Sequence, residues 1–573
     1  MSTMRAPNLA ACTLLMLTIS FATPQDPPKS SIEGVVEDAG TGGPVANARV
    51  TLMRSHAVAA GLLVPAALPA TTTDREGRYV FTGIEAGTYR VAVAAEGYAS
   101  QEYGQPVLGR SEGTFLTVTA GQAVKDIRVR LTPTGTVTGY IRTNAGQPAV
   151  GVQVRLVAPM YGPTGERRLA SAGAGKANDR GEYRIYWVTP GRYYLVAGSL
   201  DAPFGSYQSI ESGGLGGSPN EYQTGSYGVT FHPGVSDVND AAMVTAQSGA
   251  ELKLDLVVAR ERYRVRGRVI DARSGQWPAN AQVTLGRRRL LEGAAGSFVR
   301  TIPEYNPVDG TFEIRDVPTG LYYLSVNVPA GGPPGNGASG PIPVTVSGSD
   351  VDSVLATVEP YVSIPGQLTI EGQELPAPEW NRLHVFLNLS SAGRRLTDTS
   401  YGAIGGQSAF NPNGAFTINN VMGGEYRLYF MSPPNYYIKE ARYNGADVLN
   451  GPLRVSSSTP GDLAIVLSSK TGTIAGTVID FQGQPGRGVQ AILIPDEHRD
   501  RSDLYRTATT DEAGRVTLTG VAPGNYKLFA WEALEQYAYY DPQVLDLFER
   551  QGTPVHISES STASAEVKMI PAK

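Results

Sequence analysis

Two stretches of this chain carry residues whose types and spacing match known chemistry. His556 and Glu559 form an H-x-x-E pair, which in a zinc hydrolase supplies two metal ligands. A third ligand would have to follow downstream, where only 14 residues remain, and the pair sits in a strand-like stretch near the C-terminus. No zinc site is expected there. The run Asp496-Glu497-His498-Arg499-Asp500-Arg501-Ser502-Asp503 is the densest in charge, but it falls between strand-like segments and reads as a solvated loop rather than a cation site. The five histidines, His56, His232, His384, His498 and His556, are scattered. There is no G-x-S-x-G elbow, no phosphate-cradling glycine loop and no dinucleotide fingerprint, and Gly173-Ala174-Gly175-Lys176 lacks the remaining elements of a P-loop. The expectation is therefore no enzyme, no cofactor and no bound metal.

Binding chemistry is what remains. Sugar rings lay their apolar CH faces on flat, exposed aromatic side chains, helped by nearby amides and carboxylates. Two aromatic groups lie outside the core pattern described below: Tyr436, Tyr437 and Tyr443, and Trp531, Tyr537, Tyr539 and Tyr540. These seven are the candidate ligand-binding residues. Tyr207, Tyr222 and Tyr227 lie in a Gly/Ser-rich insertion. The competing reading is that such tyrosines seal contacts between neighbouring domains.

The elements that must position these side chains are set by a repeat. A glycine is followed ten residues later by a second glycine, and two residues after that by a tyrosine, in Gly77/Gly87/Tyr89, Gly181/Gly191/Tyr193, Gly310/Gly320/Tyr322, Gly414/Gly424/Tyr426 and Gly514/Gly524/Tyr526. With the first glycine at position 0, positions +2 (Tyr79, Tyr183, Phe312, Phe416, Val516) and +4 (Phe81, Ile185, Ile314, Ile418, Leu518) alternate with mostly polar residues, as in a half-buried strand. Position +7 is always apolar. The second glycine closes a turn and is expected to hold a positive φ, after which another strand begins. Position −3 is Asp74, Asn178, Asn411 or Asp511, with Pro307 as the exception. These side chains read as turn caps, since calcium takes six or more oxygens and one donor per turn falls far short.

About 40 residues upstream of each first glycine stands an apolar-x-Gly-x-apolar segment, for example Val137-x-Gly139-x-Ile141 and Ile474-x-Gly476-x-Val478. Each unit closes on a further strand, such as Ile127-Val129-Leu131 or Leu463-Ile465-Leu467. Six to eight short strands per unit imply an all-β chain of five tandem antiparallel β-sandwiches, Ig-like or transthyretin-like. The boundaries are placed at 31–133, 134–260, 261–360, 361–469 and 470–573. The one helical signal spans Pro542–Gln551.

The chain has 573 residues and a net charge of −5, which gives no basic footprint for nucleic acid. Residues 1–22 read as a secretory signal peptide: Arg5, then the apolar run Leu9–Phe21, then small residues around Ala22. Cys12, the only cysteine, would leave with it. No later segment qualifies as transmembrane. Ala57–Ala70 is the nearest, and it is short and broken by Pro65 and Pro69.

The run Thr73-Asp74-Arg75-Glu76-Gly77-Arg78-Tyr79 to Gly87-Thr88-Tyr89 resembles the carboxypeptidase regulatory-like domain, a transthyretin-like, carbohydrate-binding-like sandwich of bacterial secreted proteins. All five copies fit, the third and fourth less well. The resemblance implies an accessory module that does no chemistry itself, in a protein of the envelope or exterior, with some related modules binding glycans. Lys–Asn isopeptide staples of similar-looking adhesins are not expected: Lys29 and Lys470 lie ahead of a first strand and none lies inside one. The functional expectation is a secreted or envelope-associated binding protein for a polysaccharide. The alternative is a structural spacer or scaffold contacting envelope proteins.

Overall fold

A computed structural model describes residues 30–54, 69–105, 108, 113–162, 165, 167–198, 227–287, 304–329, 337–380, 382–389, 410–411, 413–457, 461–511 and 513–571. The signal-peptide reading, Cys12, His56, Tyr207, Tyr222 and nearly all of Ala57–Ala70 lie outside these residues.

In the first unit, β1 (Ser30–Asp38), β2 (Arg49–Arg54), β3 (Ala70–Thr72), β4 (Arg78–Ile84), β5 (Gly87–Ala94), β6 (Gln101–Glu102), β7 (Leu116–Val118) and β8 (Ala123–Leu131) form two sheets. One has the order β4-β1-β8. The other has β3-β2-β5, with β6 and β7 both on β5. Alternate residues turn inward, as a two-residue period requires. Ile32 and Val36 of β1 meet Val50 and Leu52 of β2, Val91 and Val93 of β5 and Val129 and Leu131 of β8 in one buried cluster.

The order β4-β1-β8 recurs in the first sheet of every unit, and in the third unit Gly337–Ala338 pairs with strands of both sheets and joins them. The first strands Gly135–Thr143, Tyr263–Asp271, Val362–Glu371 and Gly472–Ile479 pair antiparallel with Glu182–Val188, Thr311–Val317, Ala415–Val421 and Arg515–Val521. One pairing departs from the antiparallel expectation. β1 runs parallel to β8, and each later first strand runs parallel to the closing strand of its unit. A closing strand parallel to the opening one leaves the chain at the far end of the sandwich. The next unit can then start after a connector as short as Thr132–Thr134 or the single residue Tyr361.

Among the described residues, five large clusters of buried apolar side chains succeed one another along the chain, spanning Ile32–Leu131, Val137–Val258, Val265–Val358, Val362–Leu467 and Ile474–Val567. Two smaller clusters cover the outer face of the second sheet in the second and fifth units. There the sheet is buried on both sides, which is why Tyr194-Leu195-Val196 and Leu528-Phe529-Ala530-Trp531 are continuous apolar runs instead of alternating ones.

The repeat's first glycine holds left-handed backbone in all five copies, with φ between +72° and +83°. A Cβ on Gly181 would also lie 2.5 Å from the Ile141 carbonyl. The second glycine corrects the sequence reading. Gly320, Gly424 and Gly524 have φ of +154° to +158°, whereas Gly87 and Gly191 are not at positive φ. Gly87, Gly191, Gly320 and Gly524 share proximity to the following tyrosine: a Cβ on Gly191 would stand 3.0 Å from the Tyr193 hydroxyl. At −3, Asp74, Asn178 and Asp511 act as turn caps. Asp74 Oδ1 accepts the backbone N–H of Glu76 and Arg78, and Asp511 Oδ1 those of Ala513 and Arg515. Where Pro307 breaks the pattern, Asn306 takes over one residue earlier and accepts from Val308 N–H.

Candidate functional site

The seven aromatic residues singled out from the sequence do not offer the open faces expected of them. Tyr436 and Tyr443 belong to the core of the fourth unit. The Tyr436 hydroxyl points to the carbonyls of Gln373 and Glu374, and the Tyr443 hydroxyl accepts the N–H of Gly461 at 2.8 Å. Tyr437 is equally buried, and burial pushes its phenol up. Residues outside the repeat's inward positions thus still face inward, because Tyr437–Tyr443 forms a further strand on the closing strand Leu463–Ser468.

Trp531, Tyr537, Tyr539 and Tyr540 come together on the outer face of the fifth unit's second sheet. Trp531 stacks on Phe529, with centroids 5.0 Å apart and planes 10° apart, and meets the edge of Phe548 at 5.8 Å. Only 3% of it is exposed, and its indole N–H is buried without a partner among the described residues. Tyr540 packs on Tyr505 at 4.4 Å and on Tyr539 at 4.6 Å. Burial raises the Tyr539 hydroxyl to about 12. Tyr537 and Tyr540 are half-buried. The segment that carries these rings ends in the helical signal seen in the sequence, which the structure resolves as an α-helix Pro542–Asp546 followed by a 3-10 turn Glu549–Gln551.

That segment also joins distant parts of the chain. Asp541 caps the helix through Gln543 N–H, while its other oxygen takes Arg167 Nη2 at 2.5 Å and the Tyr161 hydroxyl at 3.1 Å. Both partners belong to the second unit. Tyr540 lies so close to Gly165 that a Cβ there would come within 2.3 Å of its own. Burial works to raise the Asp541 carboxyl, but the Arg167 hydrogen bond and the cap outweigh it and hold the carboxyl below the usual carboxylate range. Beside this clamp opens a cleft of about 720 Å³, within the span usual for small-ligand sites. Its walls come from three units: Gln105 and Phe115 of the first, Met160 and Tyr193 of the second, and Gln490, Trp531, Glu532 and Gln536 of the fifth.

The other chemical signals resolve into structure. Glu559 of the H-x-x-E pair binds Lys439 at 3.1 Å and Lys470 at 3.3 Å, and His556 Nδ1 faces Asn525 Oδ1 at 2.8 Å. In the charged run, Arg499 pairs with Glu549, Arg501 with Asp503 and Asp500 with Arg427. Among the described residues no group of three His, Cys, Asp or Glu side chains could hold a metal ion. No helix among them is long and apolar enough to cross a membrane. Sequence reasoning missed one aromatic pair, Tyr186 and Trp187, which are 60% and 63% exposed. The signal was available: at positions +5 and +6 the other units carry Thr-Gly, Arg-Asp, Asn-Asn and Thr-Gly.

The fold defines a tandem β-sandwich protein. Residues 31–132 match the family model of the carboxypeptidase regulatory-like domain, so the first unit is a domain of that family, and the later units repeat its strand order. No curated protein matches the chain in sequence. Solved structures similar to it include the minor pilin GBS52 of Streptococcus agalactiae (12% identity, 41% of this chain and 96% of that one, TM-score 0.21). A streptococcal ancillary pilin shares 13% identity over 54% of this chain and 99% of its own, with a TM-score of 0.19. BcpA, the major pilin subunit of Bacillus cereus, shares 11% over 76% and 98%, with a TM-score of 0.14.

Proposed function

We propose that this chain is a non-enzymatic scaffold of the cell envelope or exterior, and that the cleft shared by its first, second and fifth units takes a carbohydrate. The observation that carries the reading is the cleft's composition. Phe115, half-buried, supplies aromatic surface, and the amides of Gln105, Gln490 and Gln536 with the carboxylate of Glu532 supply hydrogen-bonding partners for hydroxyls. Export is supported by the apolar N-terminal segment with its small-residue cleavage site. A second reading, a spacer that contacts other envelope proteins, draws on the parallel opening and closing strands, which run the units onward with short connectors.

A glycan array probed with the chain lacking residues 1–22 tests the first reading. Neutral oligosaccharides should be retained, and Phe115→Ala combined with Gln490→Ala should abolish retention, both side chains lying outside the buried clusters. An array without any retained neutral glycan would sink it, and recovery of an envelope protein bound to the chain would favour the spacer.

A further inference from the structure

Position +6 lies at a bulge where the strand after the first glycine slips register against the opening strand in every unit. Its backbone is left-handed throughout: Gly83 (φ +73°), Trp187 (+54°), Asp316 (+58°), Asn420 (+57°) and Gly520 (+69°). Gly, Asn and Asp tolerate this region, whereas a bulky side chain there is an outlier. Trp187 gains nothing from burial to offset it, since it is 63% exposed beside an equally exposed Tyr186. Strain that packing does not explain points to a role outside the fold.

We propose that Tyr186 and Trp187 form the stacking end of a binding strip for an acidic polysaccharide, laid along the outer face of the second unit's first sheet. The strip is built from three neighbouring strands. Arg184 lies opposite Thr138, and Lys253 pairs with Thr138 from the other side. The Arg184 guanidinium stands 5.0 Å from the centre of the Tyr186 ring. Further along, Arg142 and Lys253 both stand 5.4 Å from the centre of the Tyr140 ring. Rings and cations therefore alternate from the level of residue 136 to that of residue 142, about 20 Å at ~3.4 Å per residue.

The acids on this face are already engaged. Glu182 accepts from Asn178 and Tyr140, and Glu251 accepts from Thr138 and pairs with Arg184 at 3.5 Å. Among the described residues no carboxylate pairs with Arg142 or Lys253. A uronic acid polymer presents what this surface lacks, CH faces for the rings and regularly spaced carboxylates for the cations. A neutral glycan would use only the rings, and an acidic peptide only the cations. A single-stranded nucleic acid, which also carries rings and anions, is the competing occupant that the oligo-dT arm of the test separates. This site shares with the cleft reading only the ligand class and stands on its own residues.

The test titrates the chain lacking residues 1–22 with polygalacturonate oligomers, dextran, poly-glutamate and an oligo-dT strand. Polygalacturonate should bind with a salt-dependent affinity that none of the other three matches. Tyr186→Thr with Trp187→Gly copies the Thr-Gly of the first and fifth units, so it should fold without a lower thermal midpoint while weakening polygalacturonate binding about tenfold or more. Arg142→Gln with Lys253→Gln should weaken it and flatten the salt dependence. Phe115→Ala with Gln490→Ala should leave it unchanged, which separates this site from the cleft. Polygalacturonate that fails to bind, a ring variant that binds it as tightly as the parent, or poly-glutamate or oligo-dT bound equally well would each overturn the proposal.

Discussion

The hydroxyl of Tyr322 donates to the backbone carbonyl of Pro318 at 2.8 Å, closing the turn between two strands. The bond recurs at Tyr89 to Glu85 (3.0 Å), Tyr193 to Thr189 (2.6 Å), Tyr426 to Met422 (2.9 Å) and Tyr526 to Ala522 (2.8 Å). A buried phenol needs a partner for its polar tip. The glycine two residues earlier leaves room for the ring, so the spacing that defines the repeat is the footprint of this one contact. Tyr322→Phe keeps the ring and removes the bond. It should cost about 0.5–1.5 kcal/mol, read as faster hydrogen exchange in the strand Gly320–Val328 with other units unaffected. Unchanged protection there would count against a stabilising role.

The first glycine of each triplet does a different task, and its two parts can be separated. Gly181 has φ +80°, and a Cβ would lie 2.5 Å from the Ile141 carbonyl, whereas Gly146 has φ +77° with nothing within 4 Å. Gly146→Ala should cost roughly 1–2 kcal/mol, the left-handed penalty alone. Gly181→Ala should cost clearly more, because a backbone atom cannot move aside. Thermal melts of the two variants would compare them, and equal shifts would show that the carbonyl contact is irrelevant.

Much of this was legible in the sequence. Strand period, turn caps and the glycine–tyrosine offset are local properties, and each unit repeats them. Strand order was not legible, because the parallel pairing of Val36 with Val129 joins residues whose contact no local pattern encodes. The misplacement of Tyr436, Tyr443, Trp531 and Tyr539 has the same origin. They lie outside the repeat's inward positions, yet are covered by elements added to the sandwich. Tyr186 and Trp187 were missed for the opposite reason: they look like strand residues until the five copies are compared at the bulge.

The clamp between Asp541 and Arg167 predicts a pH response. In the closed chain the carboxyl is held below its ordinary value near 3.8. A depressed carboxyl stabilises the bound form above that ordinary value, and the contribution is lost as pH falls through it and below. The contact between the second and fifth units should therefore loosen below about pH 4 and hold at neutral pH. Asp541→Asn should loosen it at every pH, since the neutral amide cannot pair with the guanidinium. Small-angle scattering would report an increase in dimensions. Identical profiles for the variant and parent at pH 7 would rule out the clamp as a determinant of shape.

Glu371 and Glu559 alternate with Lys439 and Lys470 in a four-charge bridge between the fourth and fifth units, with Lys439 to Glu371 at 2.7 Å and Lys470 to Glu371 at 2.5 Å. The hydrogen bonds from both lysines hold both carboxyls below their usual range. Each side chain is about a third exposed or more, so the bridge is open to screening. Raising the salt to about 1 M, where the Debye length is near 3 Å, should weaken it, and Glu559→Gln should reproduce part of that effect at low salt by removing one of the two anions that both lysines share. The readout is hydrogen exchange in Tyr437–Tyr443, the strand that carries Lys439. Zinc added to the parent should not alter that exchange, because Glu559 is engaged by lysines on one side and His556 by Asn525 on the other. Protection that rises with zinc and falls with chelator would instead return the H-x-x-E pair to consideration as a metal site.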